Sequence, residues 1–233
     1  MRQVFHDELD QASRELVELS QLVGSAMRRS TSALLDADLR LAEQVIEADR
    51  EIDARRNELD RRAVDLLARQ APVASDLRTV VTAMRMSSDL ERMGDLARHV
   101  AKVAALRHPE PAVPEDVRAT FRQMGHVAER IVARVGEIIV SQSLEGATTI
   151  EEIDDELDDL HRSMFARLAA GTWRHGTTSA VDVALLSRYY ERFGDHAVSV
   201  ALRVVFLVTG VWHDEQMPGA YERFTTSVPR EDD

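Results

Sequence analysis

Glu91-Arg92-Met93-Gly94-Asp95 returns one hundred positions later as Glu191-Arg192-Phe193-Gly194-Asp195, and the match runs on through Ala97 with Ala197, Val100 with Val200 and Ala101 with Ala201. Recurrence over so many positions marks a tandem repeat. In each copy a Glu and an Asp stand four apart, which on an α-helix places them on one face, about 40° apart. Each half therefore carries an acidic pair, and the rest of the chain is read for what completes it.

The 233 residues suffice for one large domain or two of ordinary size. A hydrophobic share of 44% beside 30% charged residues, with ten Gly and six Pro, describes a soluble, charge-rich chain of long uninterrupted elements. The formal charge of −12 argues against a nucleic-acid partner, because phosphate backbones need a basic field. It favours cations or a basic patch on another protein. Without cysteine there are no disulfides and no thiolate metal ligands. The N-terminal stretch Met1 to Glu8 has no apolar signal core, and the longest apolar run, Val204 to Trp212, is too short to span a bilayer. A cytoplasmic location is the expectation.

Apolar residues at helical spacing predict six helices. The first covers about Val4 to Asp36 through Leu9, Leu16, Leu19, Val23, Met27 and Leu34; the second starts after a cap at Asp38 and reaches about Arg69. Pro72 makes the next turn, and the third helix covers about Val73 to Leu106. His108 to Pro114 holds three prolines and reads as the linker between halves. A fourth helix runs from Glu115 to about Gln142, with a turn expected from Ser143 to Thr149. A fifth helix covers Ile150 to about Ala170 and a sixth Thr177 to about Val211. The fold expected is all-α, two three-helix bundles in tandem over residues 1–108 and 115–211, with a frayed tail from 212 to 233.

The partners of the acidic pairs lie on the preceding helix of each half: Asp49 and Asp53 on the second, Asp154 and Asp158 on the fifth. In an antiparallel hairpin, residues equally far from the turn share a height. Positions 49, 53, 91 and 95 average to 72, which is the turn proline; 154, 158, 191 and 195 average to about 174, inside the second turn. Each hairpin thus brings four carboxylates to one level, roughly 30 Å from its turn.

Relative to the apolar stripe of its own helix, the Glu91–Asp95 pair lies about 150° away, at 100° per residue. That predicts acids at or outside the seam, on the surface. Arg50, Arg92, Arg98, Arg192 and Arg203 stand near enough to offer salt bridges. Two readings follow: a solvated acidic face, or a hard-cation site on each hairpin whose all-oxygen ligands favour Mg, Mn or Fe ahead of Ca and Zn. His161 is a peripheral ligand at most, and Gly94 and Gly194, costly within helices, imply close helix approach or room for a ligand. There is no phosphate-binding loop and no nucleophile beside a base, so no enzyme is read here.

With these residues in hand, the chain resembles the PhoU family over about residues 5 to 210. The resemblance is carried by the four pairs Asp49/Asp53, Glu91/Asp95, Asp154/Asp158 and Glu191/Asp195 and by the hairpin Gln70-Ala71-Pro72-Val73-Ala74-Ser75-Asp76-Leu77-Arg78. It implies two homologous three-helix bundles that bind metal ions on their acidic surfaces, often as multinuclear clusters, and commonly dimerise. It implies a negative regulator coupling a phosphate ABC transporter, through its ATPase subunit, to a sensor histidine kinase, and meeting the membrane only through those partners. The second hairpin, Gly171 to Gly176, departs from the family turn. The alternatives are a metal-dependent hydrolase, in which a multinuclear site activates water, and a structural helical adaptor with no metal role.

Overall fold

Long apolar repeats free of internal proline give six α-helices: α1 (Arg2–Asp36), α2 (Leu39–Gln70), α3 (Ser75–Arg107), α4 (Glu115–Ser141), α5 (Leu144–Ala169) and α6 (Gly176–Thr209). The computed structural model describes residues 2–70 and 72–212, with side chains from Asp7 onward. Beyond Trp212 itself, the expected tail lies outside the described residues.

Local chemistry sets the helix ends. The Asp38 carboxylate accepts a hydrogen bond from the Leu41 backbone N–H at 2.9 Å, starting α2 as its cap. Gly210, at φ 74°, closes α6 in the left-handed conformation, so the helix ends at Thr209, two residues short of the predicted Val211. The turn expected from Ser143 to Thr149 is instead the first turn and a half of α5. The Ser143 hydroxyl caps it by accepting from the Gly146 N–H at 3.0 Å. Gly146 is there for packing, since a Cβ would come 2.6 Å from Ile138 Cγ2. A glycine inside a polar stretch reads as a turn, but here it marks close approach.

The packing is a ring with two outriggers. α1 packs on α3 and α4, and α6 packs on α3 and α4, closing a four-helix ring in the order α1, α3, α6, α4. α2 lies outside it against α1 and α3 only, and α5 against α4 and α6 only. Each half is a three-helix bundle, yet one buried cluster runs through both. Val23 and Met27 of α1, Val100 of α3, Ile131 of α4, and Phe193 and Val200 of α6 all belong to it, each wholly buried. Burial of this apolar surface at about 25 cal/mol per Å² is what holds the halves as well as each bundle.

Between the bundles the polar groups are paired. Arg107 forks onto Asp182 at 2.6 and 3.0 Å, and Arg203 reaches Asp89 at 2.6 Å with His196 on the other oxygen at 3.3 Å. Tyr190, fully buried, shares a 2.7 Å hydrogen bond with Thr31 of the first half. Both buried acids, Asp89 and Asp182, thus meet an arginine across α3 and α6, as a buried charge must.

Candidate functional site

The hairpin heights predicted from sequence are those observed. In the first half Gly94 of α3 faces α2, where an added Cβ would sit 2.9 Å from Ile52 Cδ1 and 3.7 Å from Asp49 Oδ1. In the second half Gly194 of α6 faces α5 still more tightly, and a Cβ would overlap the Asp154 carboxylate outright. Each mid-helix glycine makes room for an aspartate of the neighbouring helix. The acidic pairs of α2 and α3, and of α5 and α6, therefore stand side by side.

The expectation of purely surface acids needs correction. Asp49 is 5% exposed and Glu191 9%, while Asp53, Glu91, Asp95, Asp154 and Asp158 are partly buried and Asp195 is exposed. The azimuth was measured from each helix's own apolar stripe, which ignores cover from the adjoining helix. Glycine at 94 and 194 lets that helix come close enough to bury what the stripe leaves outside.

Two clusters of the same residue types are neutralised differently. In the α2–α3 cluster the Arg98 guanidinium lies between Asp49, with Nε 3.0 Å from a carboxylate oxygen, and Asp95. Arg92 adds a second cation on Asp95 at 3.0 Å and lies 3.6 Å from Glu91. Burial still raises Asp49 to about 6, against the pull of Arg98, and raises Glu91 as well.

Among the described residues, no arginine lies between the helices of the α5–α6 cluster. Arg188 pairs with one oxygen of Glu191 from the preceding turn, and Arg162 approaches Asp158 at 3.9 Å from outside. Asp154 Oδ1 and Glu191 Oε2 are buried with no hydrogen-bond partner. Burial, reinforced by Asp158 and Asp195, pushes Asp154 up to about 8; burial and Asp195 push Glu191 up to about 7. One turn before Asp154, Glu151 is raised to about 7 by burial and by Asp155.

Of the five arginines expected near the acids, Arg92 and Arg98 serve them directly. Arg50 pairs with Glu47 at 2.7 Å and Arg203 with Asp89, both elsewhere, while exposed Arg192 acts on Glu191 and Asp195 only through its charge. Glu151 was missed, since nothing in a run of α5 acids singles it out. His161 is no free ligand: its Nδ1 lies 3.1 Å from Ser187 Oγ and its ring rests on Phe165. Ser187 is wholly buried and its hydroxyl donates to the Ala184 carbonyl, so this serine and histidine form no nucleophile and base.

Oxygen-only clusters of this kind suit hard cations. Among the described residues no three His, Asp or Glu side chains converge closely enough to hold a metal ion as they stand. In the α5–α6 cluster two buried carboxylate oxygens, Asp154 Oδ1 and Glu191 Oε2, lack hydrogen-bond partners, whereas in the α2–α3 cluster Arg98 lies between Asp49 and Asp95. No helix among the described residues is long and apolar enough to cross a membrane.

A ring of four helices with two outboard hairpins, each setting a Glu-x-x-x-Asp pair against an Asp-x-x-x-Asp pair, defines a duplicated all-α scaffold with twin acidic sites. The chain belongs to the PhoU family: the PhoU domain model matches residues 16–104 and 121–204, one copy per half. It is 50% identical over 212 residues to the phosphate-specific transport system accessory protein PhoU homolog 2 of Mycobacterium tuberculosis, covering 91% of this chain and all of that one. To homolog 1 of Mycobacterium leprae it is 47% identical over 221 residues, 94% of this chain and all of the relative. The crystal structure of PhoU from Pseudomonas aeruginosa superposes with TM-score 0.83 at 29% identity, over 89% of this chain and all of that one. The phosphate transport system regulatory protein PhoU of Streptococcus pneumoniae gives 0.81 at 26% identity, over 90% of this chain and 99% of that one.

Proposed function

We propose that this protein is a cytoplasmic, non-catalytic regulator of phosphate uptake and of the phosphate-starvation response. It couples the ATPase subunit of a phosphate ABC transporter to a sensor histidine kinase as a negative regulator, and acts as a homodimer. The observation that carries this reading is a match along the whole length of relatives named as accessory proteins of phosphate-specific transport. Deleting the gene should derepress a phosphate-starvation reporter in phosphate-rich medium. A reporter that stays silent after deletion would overturn the regulatory role.

The acidic hairpins are, in this reading, metal-binding surfaces. Asp154, Asp158, Glu191 and Asp195 are the donors in the second half, and Asp49, Asp53, Glu91 and Asp95 their counterparts in the first. A bound Mg, Mn or Fe ion supplies positive charge that relieves carboxylate repulsion, and so stabilises the fold by mass action. The buried oxygens without partners on Asp154 and Glu191 support this.

A further inference from the structure

We propose that the end of the molecule where the start of α3 meets the end of α6 is a docking surface for a protein partner, fitted to an amphipathic helix with acidic residues beside its apolar face. The kind of occupant, a protein, rests on the coupling role proposed above. The surface itself is built from the hairpin motif Gln70 to Arg78, which takes no part in the acidic clusters.

α3 and α6 run antiparallel, and their two ends are finished differently. At one end Arg107 of α3 forks onto Asp182 of α6 in a closed ion pair. At the other, Arg78 of the motif lies over the Phe206 ring, 5.7 Å from its centroid, and Arg85 lies over Trp212 at 4.8 Å. The Phe206 and Trp212 rings meet edge to face at 5.0 Å. Gly210 ends α6 directly against Arg78, where a Cβ would overlap the guanidinium. Among the described residues neither Arg78 nor Arg85 forms an ion pair with an acid, in a chain whose formal charge is −12. The second half does not repeat the arrangement: at the one-hundred-residue offset Leu77 and Arg78 fall on Thr177 and Thr178, and Arg85 on Leu185.

On either side of this contact the surface is apolar. Val73, Leu77, Val208, Val211 and Trp212 all stay exposed, Val73 at 74% and Trp212 at 47%. Apolar side chains gathered at one place in water mark an interaction surface, whereas scattered ones mean little. Trp and Arg are enriched at the energetic centres of interfaces. Here they are already stacked, so little side-chain freedom is lost on binding. Two guanidinium groups without acids, beside an α3 N-terminus that no side chain caps, favour carboxylates on the occupant. The described elements are all helices and offer no strand edge to extend, so the contact is made by side chains, and a helix presents apolar and acidic ones on adjoining faces. An anionic lipid surface fits less well, because it repels a chain of this charge and holds proteins through polybasic clusters or lipid anchors.

Selection from a displayed library of helical peptides tests the surface on the full chain. The wild type is expected to select peptides with an apolar stripe flanked by Asp or Glu. Trp212→Ala and Arg85→Glu should each weaken those peptides in fluorescence anisotropy by tenfold or more, an amount of about 1.4 kcal/mol. Val73→Ser, at the most exposed of the five apolar residues, should weaken them too and gives a second reading if either of the other variants melts low. Val181→Ser, an equally simple change on exposed α6 surface of the second hairpin, should leave them unchanged.

Peptides that bind all three end variants as they bind the wild type, a selected pool without acidic residues, or a selection that yields no peptide would overturn the proposal. Other occupants would do the same. A lipid surface is shown by cosedimentation with phosphatidylglycerol vesicles that Arg85→Glu abolishes, and a second copy by a dimer that Trp212→Ala dissociates. The chain's own C-terminus is shown by competition from a synthetic peptide of residues 213–233. Reporter derepression after gene deletion tests the coupling role separately, so failure of the surface and failure of that role are told apart.

Discussion

At the scale of single residues, the second cluster is set by groups that hold protons past the ordinary carboxylate range. Asp154 is raised from 3.8 to about 8 and Glu191 from 4.5 to about 7, with burial the main cause in both. A carboxyl whose folded pKa is raised binds more protons folded than unfolded, so stability falls as pH climbs through that window. The metal-free protein should therefore lose stability between the normal carboxylate range and about pH 8, and saturating Mn²⁺ should flatten the loss. Asp154→Asn should remove much of the slope and stabilise the chelated protein at the alkaline end; circular-dichroism melts across the range measure it. An unchanged slope in that variant would mean the titration comes from elsewhere. Glu191 was legible from the repeat, and Asp154 from its height on the hairpin. Their burial was not, because it depends on how closely another helix lies, and glycine spacing signals closeness without saying what fills the gap.

At the scale of helices, the two glycines occupy the same place in the repeat but have different neighbours. Replacing a mid-helix glycine by alanine gains about 1 kcal/mol in helix propensity. At Gly94 the new Cβ meets Ile52 at Cδ1 and Cγ2, 2.9 and 3.1 Å away, and this milder overpacking offsets the propensity gain, so Gly94→Ala should leave stability within about 1 kcal/mol of wild type. At Gly194 it meets the Asp154 carboxylate and, at 3.0 Å, Leu157 Cδ1. Overpacking of that kind costs about 1–3 kcal/mol and outweighs the propensity gain. Gly194→Ala should melt lower than Gly94→Ala and lose Mn²⁺ affinity, which parallel melts and titrations resolve. The hairpin register was fully legible, since an antiparallel pair leaves only the turn to be placed. The start of α5 was not: Ser143 caps three residues before Gly146, and composition reads those residues as loop.

At the scale of the whole molecule, the tandem halves were legible from the repeat and from the Pro-rich linker. That they share one core was not. The surface that joins α1 to α4 and α3 to α6 is apolar in the same stripes that build each bundle, and helical periodicity does not say which neighbour covers a stripe. Because Tyr190 of one half is locked to Thr31 of the other and the buried cluster is continuous, the halves should unfold together. Scanning calorimetry should give a single transition with matching calorimetric and van't Hoff enthalpies. Two resolved transitions would show that the bundles are energetically separate.

Asp195 and His196 are consecutive, yet the first belongs to the acidic cluster with α5 and the second is tied to Asp89 of α3. Arg203 ties the same helix to Asp89 two turns later, and Arg107 holds its beginning through Asp182. α6 is thus a clamped shaft that cannot roll toward a ligand without breaking buried ion pairs. Among the described helices α5 packs on α4 and α6 alone, with a turn at either end. The two helices of the second hairpin are thus held unequally, α6 by ion pairs to α3 and α5 by packing on α4 and α6.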